Sequence, residues 1–267
     1  MQVKSTPILS GIVKHFLILE NDSSLMLRIF SDGNTGMVFN NGDPLYRQEC
    51  YAAAPEALPQ SFIYGQLDVF QNVISTGKIK LLIAVLHPYG ASALLRIPAF
   101  ELKNQIIDTN TFPFLRSESV LDQMHDCTPL DKVRTVENFL ISALHKPILN
   151  NALATKAIQL IDEHHGGMPV VRLASMLNVH ERQLQRVFEE HIGVTPKRYS
   201  GIARIQYFLK LLRNRSSETT LTDALYTSGF YDPAHLNREL KSLSGLTPGQ
   251  YMNGSNLLAA NLIRLSQ

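Results

Sequence analysis

The sequence predicts an α+β protein of two domains, in which a β-rich N-terminal domain and connecting helices precede an all-α C-terminal domain. Three observations predict this fold class. Short apolar runs alternate with turn residues early in the chain, apolar residues recur at helical spacing after Phe114, and a repeat occupies the last hundred or so residues. The predicted boundaries are 1–115 for the β-rich domain, 116–150 for connecting helices and a linker, 151–252 for the all-α domain and 253–267 for a C-terminal tail.

Composition and length fit two globular domains. The 267 residues are 45% hydrophobic and 18% charged, and domains commonly hold about 100 to 200 residues. Cys50 and Cys127 are isolated, so the sequence contains neither a disulfide framework nor a Cys-x-x-Cys site. The lack of a signal-peptide pattern and of an apolar run of about 20 residues predicts a cytoplasmic protein with no membrane partner.

Charge is unevenly distributed along the chain. Residues 1–150 hold 12 Lys/Arg and 14 Asp/Glu, a balance of −2, whereas residues 151–267 hold 13 and 9, a balance of +4. A C-terminal domain that binds a polyanion would produce this asymmetry. Because this difference in charge is small, the sequence motifs are the stronger evidence for DNA binding.

Turn residues and one long apolar run define the β-rich domain. Asp-Gly, Asn-Gly and Pro breakers punctuate residues 31–44. The run from Lys78 to Leu86 is apolar on both faces after its first residues, which is typical of a buried strand. We interpret the polar residues of the turn region as turn formers, with an effector pocket as the alternative. These residues are Asp32, Asn34, Asn40, Asn41 and Asp43.

The segments that flank the all-α domain are a linker and a tail. Helical spacing after Phe114, with a break at Thr128-Pro129, predicts connecting helices. Pro147 and two asparagines mark residues 146–151 as a hinge. The tail, LLAANLIRLSQ, is expected to form a short amphipathic helix that packs on the body, with a homodimer contact as the alternative.

The strongest feature of the sequence is a repeat of residues 184–199 at 236–251. A Thr-Pro pair suits a helix start, because the Thr hydroxyl caps free amides and Pro needs no hydrogen bond in the first turn. A glycine suits the end of the preceding helix. Six residues recur 52 positions apart: Leu184, Arg186, Gly193, Thr195, Pro196 and Tyr199 match Leu236, Arg238, Gly245, Thr247, Pro248 and Tyr251.

A shorter helix and a tight turn precede each copy, so each unit is predicted to be a helix-turn-helix. Asn178 and Gly229 are expected to take left-handed geometry at the two turns. Asp232 and Pro233 are expected to cap and begin the helix after the second turn. The offset between the units is 51 residues before the turn and 52 after it, so the second turn is one residue longer.

The helix after each turn has an apolar stripe and a polar stripe. Arg can reach both acceptors of guanine, and Gln can reach both groups of adenine. A single such helix is more often a solvated face, whereas two in tandem favour binding to double-stranded DNA. The predicted contacts are Glu181, Arg182, Gln185, Arg186, Ala234, His235, Asn237, Arg238 and Lys241 on the two helices, with Lys197 and Arg198 on the helix between the units.

Residues 152–252 resemble the C-terminal domain of the arabinose-regulator (AraC/XylS) family of transcription factors. The strings LASMLNVHERQLQRVFEEHIGVTPKRY and GFYDPAHLNRELKSLSGLTPGQY carry the resemblance. It implies a domain of seven helices, a double helix-turn-helix, that binds promoter DNA and regulates transcription, often through contact with RNA polymerase. Residues 28–115 resemble more loosely a little-characterised N-terminal domain of some members, which implies a regulatory or sensor half and leaves open a small-molecule effector.

The second unit departs further from the family pattern than the first. Ala224-Leu225 replaces the usual Ile-Ala pair, and Leu236 and Leu240 replace two usual phenylalanines. We therefore expect the first recognition helix to carry most of the sequence discrimination. In the first unit, His180 replaces the usual serine cap, which weakens that helix start by about 1 kcal/mol.

Enzyme chemistry is the alternative class of function. His15 and His87 lie 72 residues apart in the β-rich half, without the close spacing of a metal site. DNA repair by alkyl transfer to a cysteine would need a thiolate beside basic groups. Cys50 has Arg47 nearby but also Glu49, and Cys127 follows Asp126, so neither cysteine fits this role well. We expect no catalytic residue, metal or cofactor. A third hypothesis is a regulator governed by partner proteins or its own abundance.

Overall fold

The computed structural model of the chain describes residues 1–48, 54–125, 127–144, 151–214, 220–253, 257–259 and 261–265. Within them the predicted fold class is confirmed, because two β-sheets and connecting helices precede a seven-helix domain. None of the helices in these ranges is long and apolar enough to cross a membrane.

The strands are β1 (Gln2–Lys4), β2 (Val13–Asn21), β3 (Met26–Ile29), β4 (Thr35–Asn40), β5 (Leu45–Gln48), β6 (Glu56–Ala57), β7 (Ser61–Tyr64), β8 (Gln71–Ser75), β9 (Ile79–Leu86), β10 (Ile106–Asp108), β11 (Leu257–Ala259) and β12 (Leu262–Leu265). The N-terminal half also holds α1 (Gly90–Leu95), α2 (Glu118–Gln123), α3 (Pro129–Ala143) and short 3₁₀ turns, one of them at Ala99–Leu102. The C-terminal helices are α4 (Ala152–Glu163), α5 (Val170–Met176), α6 (Glu181–His191), α7 (Pro196–Arg213), α8 (Leu221–Thr227), α9 (Pro233–Ser244) and α10 (Pro248–Asn253).

The two sheets are antiparallel and each has six strands. Their orders are β1-β2-β9-β4-β7-β10 and β11-β12-β3-β8-β5-β6. The inner faces share one apolar core, to which Leu27 and Val73 of the second sheet and Val38, Phe62 and Leu81 of the first contribute. The N-terminal half is therefore a β-sandwich.

The predicted buried strand is β9, which lies in the middle of the first sheet between β2 and β4. Its alternate residues enter two different cores, because Leu81 faces the sandwich interior and Leu82 faces the connecting helices. Burial on both sides explains why the strand is a continuous apolar run rather than an alternating one.

The predicted connecting helices cover the outer face of the first sheet. Val136 and Leu140 of α3 are fully buried in the same core as Phe16 of β2. Thr128 caps α3 by accepting a hydrogen bond from the Asp131 amide at 3.3 Å. Residues 146–150 of the predicted hinge lie outside the described residues, and Asn151 caps α4.

The expectation of a helical tail is wrong, because residues 262–265 form strand β12 of the second sheet. β12 pairs antiparallel with β3, with Ile263 opposite Arg28. Ile263 is 2% exposed and packs in the core of the second helix-turn-helix unit. The chain thus returns from its last helix to the N-terminal sandwich.

Each helix-turn-helix unit has its own core, and both cores include α7. Leu184 and Phe188 of α6 pack with Tyr199 in the first, whereas Phe208 of α7 packs with Leu240 of α9 in the second. The predicted apolar stripes of both recognition helices are confirmed.

Replacement of Phe188 by alanine is expected to destabilise the fold by about 3 to 5 kcal/mol, because the side chain is 0% exposed and its removal leaves a cavity. The free energy of unfolding in urea, followed by circular dichroism, measures the effect. Met176→Ala, at a side chain that is 49% exposed, is the control and should change stability by less than about 0.5 kcal/mol. A cost for Phe188→Ala as small as the control would contradict the assigned core.

Candidate nucleic-acid interface and effector cavity

The turn of the first unit has the predicted geometry. Asn178 has φ of 53°, in the left-handed region, between α5 and α6. Val179 follows and packs against the core of the unit. His180 is the N-cap of α6 and its side chain makes no cap hydrogen bond, as expected for a residue in place of serine. The start of α6 therefore depends on packing rather than on capping.

Helix α6 presents its polar stripe to solvent. Arg182, Gln185 and Arg186 are exposed on the side opposite Leu184 and Phe188. Gln185 Nε2 donates a hydrogen bond to Glu189 Oε1 at 3.1 Å. These long donor side chains are available to base edges, which is the arrangement that major-groove recognition requires.

The second unit has stronger helix starts. A capping box at α8 joins Thr220 and Asp223, and Gly229 forms the turn with φ of 81°. Asp232 Oδ1 accepts a hydrogen bond from the His235 amide at 2.7 Å and caps α9. Tyr231, in the longer turn, is 87% exposed.

Replacement of family phenylalanines by leucines leaves the core of the second unit well filled. Leu236 and Leu240 are 2% and 0% exposed. Phe30 from the N-terminal half and Ile263 from the tail pack in the same cluster. The second unit is therefore completed by residues from outside the helix-turn-helix domain.

The predicted DNA-contacting residues fall into two groups by exposure. Arg198 and His235 are half-buried, and His235 Nε2 lies 3.0 Å from Glu239 Oε1 and edge-on to Phe230. Contact with DNA remains a prediction for both groups. The exposed residues are Glu181, Arg182, Gln185, Arg186, Lys197, Ala234, Asn237, Arg238 and Lys241.

Arg198 is engaged by the N-terminal half rather than directed to solvent alone. Its Nε donates to Asp68 Oδ1 at 2.9 Å, and its Nη2 donates to the Asp68 carbonyl oxygen at 2.5 Å. Lys103 forms a second ion pair with the same carboxylate. Partial burial alone would raise the pKa of Asp68, but the two cations outweigh it and hold the pKa below its usual value. Arg198 must leave this pair before it can reach a phosphate.

The N-terminal half also contacts the end of the first recognition helix. Gly193 follows α6 with φ of 86°, and a Cβ there would lie 2.6 Å from the carbonyl oxygen of Ala99. The glycine is thus required both by the left-handed turn and by close packing against the 3₁₀ turn at Ala99–Leu102.

Helix α7 connects both units and the sandwich. Arg204 Nη2 donates to the Gly166 carbonyl oxygen at 2.9 Å, and its guanidinium lies 5.6 Å from the Phe230 ring. Gln206 Nε2 donates to the Ser31 carbonyl oxygen at 2.8 Å. The predicted spacer helix is confirmed, at 18 residues, and it is also an interdomain element.

A cavity of about 320 Å³, here named the chamber, lies between the two sheets beneath α7. Most of its wall is apolar and comes from inner-face residues of both sheets, among them Leu17, Leu27, Val38, Phe62, Val73 and Ile83. Polar lining residues include His15, Asp32, Tyr64 and Gln71 of the sandwich, Gln206 and Arg213 of α7, and Asn261 before β12. Apolar cavities with a few polar groups are the usual form of small-molecule sites.

The polar turn residues confirm the turn interpretation in part. Asn40 Oδ1 accepts from the Gly42 amide, and Asp43 Oδ2 accepts from the Lys78 amide. Asp32 Oδ1 likewise accepts from the Asn34 amide, yet Asp32 also lines the chamber. Sequence reasoning missed Tyr64, Gln71 and the α7 residues of this wall, because no local pattern brings them together.

The described part of the chain contains no group of three or more His, Cys, Asp or Glu residues that could hold a metal ion. The Cys127 thiol donates to the Gln123 carbonyl oxygen at 3.0 Å. Cys50 lies outside the described residues.

The tandem turns and the exposed polar helix faces are the features of a helix-turn-helix domain, the class of domain that places one helix of each unit in a DNA major groove. Residues 173–254 match the family model described as "Helix-turn-helix domain", and residues 1–108 match that of a domain of unknown function (DUF6597). Over residues 173–254 the chain is similar to AraC-type helix-turn-helix domains.

Similar proteins include two uncharacterised HTH-type transcriptional regulators. One, from Haemophilus influenzae, is 28% identical over 122 residues, which are 46% of this chain and 39% of that protein. The other, YisR from Bacillus subtilis, is 23% identical over 128 residues, 46% of this chain and 44% of that protein. The chain thus spans less than half the length of these relatives.

The fold resembles that of ToxT from Vibrio cholerae over both halves. The match has a TM-score of 0.50 and 13% identity, and it covers 88% of this chain and 98% of ToxT. A structure of ToxT bound to (E)-4-(8-methylnaphthalen-1-yl)but-3-enoic acid matches equally well. The order of a β-rich half and a helix-turn-helix half is therefore shared with ToxT.

Substitution Asp68→Asn is expected to strengthen binding to any DNA sequence by about two- to fivefold, because it releases Arg198 toward the phosphate backbone. Fluorescence anisotropy with a labelled duplex at several salt concentrations measures the affinity, and the salt slope should steepen by about one.

The matched control is Glu20→Gln, which removes an ion pair with Lys132 inside the N-terminal half. It should leave both the affinity and the slope unchanged. An Asp68→Asn protein that behaves like this control would show that Arg198 does not reach DNA.

Proposed function

We propose that this protein is a DNA-binding transcription regulator in which residues 1–115 form an effector-binding domain and residues 151–252 read promoter DNA. The observation that carries the proposal is the pair of helix-turn-helix units whose polar recognition faces are both exposed on a basic domain. The family match and the names of both relatives support it.

The proposed effector is a small apolar molecule held in the chamber. A volume of about 320 Å³ and a largely apolar wall suit such a ligand. The compound found with ToxT is a carboxylic acid with an apolar naphthalene body, and that body supports an apolar ligand of similar size here.

Helix α7 is the proposed route from effector to DNA. Gln206 and Arg213 line the chamber, while Ile205 and Phe208 of the same helix pack in the core of the second unit. A ligand that shifts α7 therefore changes how the recognition helices are held. Such a ligand binds the two arrangements of α7 with different affinities, which is what regulation by population shift requires.

Further partners and the cellular compartment are also part of the proposal. Contact with RNA polymerase follows from the family resemblance, and the cytoplasm is where a bacterial promoter lies. A homodimer stays a prediction, and the tail proposed for it pairs within its own chain. We propose no catalytic activity, because both relatives are named transcriptional regulators and no observation favours the alkyl-transfer alternative.

Arg182→Ala or Gln185→Ala is expected to lose about 1 to 3 kcal/mol on the preferred DNA site and to relax the preference at one base pair. A site obtained by selection from random duplexes, and its single-base variants, supply the ligands for quantitative binding. Arg238→Ala on α9 should lower affinity with a smaller loss of preference.

Lys197→Ala serves as the contrasting variant, because the loss of a phosphate contact weakens binding to all DNA sequences alike. Equal losses of preference from Arg182→Ala and Arg238→Ala would contradict the assignment of discrimination to α6. Unchanged binding by both Arg182→Ala and Gln185→Ala would remove α6 from base recognition.

Val38→Phe is expected to abolish saturable binding of N-phenyl-1-naphthylamine, an uncharged fluorescent probe of apolar cavities. Val38 is buried and lines the chamber, so the larger ring occupies the space. Val171→Phe makes the same change at a side chain that is 63% exposed and should bind the probe like the unaltered protein. Retained binding in Val38→Phe would place the probe elsewhere.

A further inference from the structure

The chamber has an apolar body and one polar end. Register in the first sheet places His15, Gly36 and Tyr64 in one row, since Val85 lies opposite both His15 and Gly36, and Gly36 lies opposite Tyr64. Because β4 begins at Thr35, this row adjoins the loop of residues 31–34 under α7.

The next row of the same sheet is apolar on the chamber side. Leu17 is paired with Ile83, Ile83 with Val38, and Val38 with Phe62. A ligand with an apolar body would therefore lie along this row, with its polar group toward α7.

Polar side chains at the α7 end lack protein partners. Gln71 is 5% exposed, yet its side-chain amide makes no hydrogen bond to any of the described residues, and the same holds for the Tyr64 hydroxyl and the His15 ring. Buried polar groups are normally hydrogen-bonded because an unmade bond is costly. These groups are therefore suited to meet a ligand in the chamber.

Asp32 supplies a negative charge at this end. Its carboxylate accepts hydrogen bonds from the Asn34 amide at 3.0 Å and from Asn34 Nδ2 at 2.9 Å. It forms no salt bridge within the part of the chain that the structure describes. A carboxylate in this state retains lone pairs for a further donor.

The neighbouring titratable groups add no compensating charge. Burial, and then Lys14, lowers the pKa of His15 against the opposing effect of the Asp32 charge, which favours the neutral ring. Burial and the charge of Asp32 raise the pKa of Tyr64, which keeps its hydroxyl protonated.

Two cations also belong to this region. Lys14 lines an adjacent cleft of about 220 Å³, which Asp32 lines as well, and its Nζ donates to Asn34 Oδ1 at 3.5 Å, but it does not line the chamber. Arg213 lines the chamber but is exposed and follows Gln206 by seven residues on α7, which is roughly 10 Å along the helix. Asp32 is therefore the charge nearest to the unpartnered side chains.

From this placement we propose that the chamber takes an apolar molecule whose polar group is a hydrogen-bond donor, a hydroxyl or an amine, held by Asp32 beneath α7. The inference rests on the proposed effector function and specifies its ligand. A carboxylic acid would bring a second negative charge to Asp32 and is disfavoured.

Competition between matched eight-carbon probes tests the proposal on the full chain. 1-Octanol, octylamine and octanoate are each titrated against bound N-phenyl-1-naphthylamine at pH 7. Octanol and octylamine are expected to displace it at concentrations about tenfold lower than octanoate, the fold-change of one hydrogen bond to a charged group. Displacement at a lower concentration of octanol than of octylamine indicates a neutral natural ligand, and the reverse indicates a cationic one.

Asp32→Asn should reduce the affinity for octylamine about tenfold and narrow its advantage over octanoate. Asp22→Asn, at an exposed carboxylate outside the chamber, is the matched control and should leave the order unchanged. Tyr64→Phe, which retains the ring, provides a second test and should weaken octanol binding several-fold.

Preferential displacement by octanoate, or displacement by none of the three probes, would overturn the proposal. An unchanged probe order in both Asp32→Asn and Tyr64→Phe would overturn it as well. DNA affinity measured on the same preparations separates this failure from that of the regulator function, because a protein that binds its selected site but prefers octanoate refutes only the ligand class.

Discussion

Burial of α7 on several sides is the constraint on which the rest of the structure depends. Tyr199 packs against α6 in the core of the first unit, and Phe208 and Leu212 pack in that of the second. Gln206 is bonded to the loop beside the chamber. A helix packed on several sides is fixed by its neighbours and cannot move alone. The positions of the two recognition helices and the shape of the chamber therefore all depend on α7.

The N-terminal half acts on the DNA-reading half through packing as well as through ion pairs. Phe30 fills the second core, Ala99 contacts the end of the first recognition helix, and Asp68 holds Arg198. These contacts affect both units, so a change in the sandwich reaches both. The C-terminal tail connects the two halves a second time, because its strand β12 pairs with β3 in the second sheet.

Local chemistry in the sequence accounts for much of the helix-turn-helix domain. The left-handed turns at Asn178 and Gly229, the Asp232 cap and the apolar stripes were all predictable, because each depends on residues a few positions apart. The face of each recognition helix followed from the same spacing. Burial of Leu236 and Leu240 was predictable too, but their partner Phe30 was not.

Features that join distant segments were not accessible from the sequence. Asp68 and Arg198 are 130 residues apart, and no local pattern pairs them. Four residues of the tail are too few to separate a helix from a strand by periodicity, and their pairing with β3 decided the outcome. The chamber depends on the register of two sheets, which alternation of residue types does not specify.

Hydrogen exchange across a urea series, read by mass spectrometry, tests most directly whether the two halves form one structural unit through α7. The shared cores predict that amides of β9 in the sandwich and of α7 in the helix-turn-helix domain lose protection together at one urea concentration. Loss of protection in α7 at a clearly lower concentration than in β9 would show that the halves unfold independently and would contradict the account.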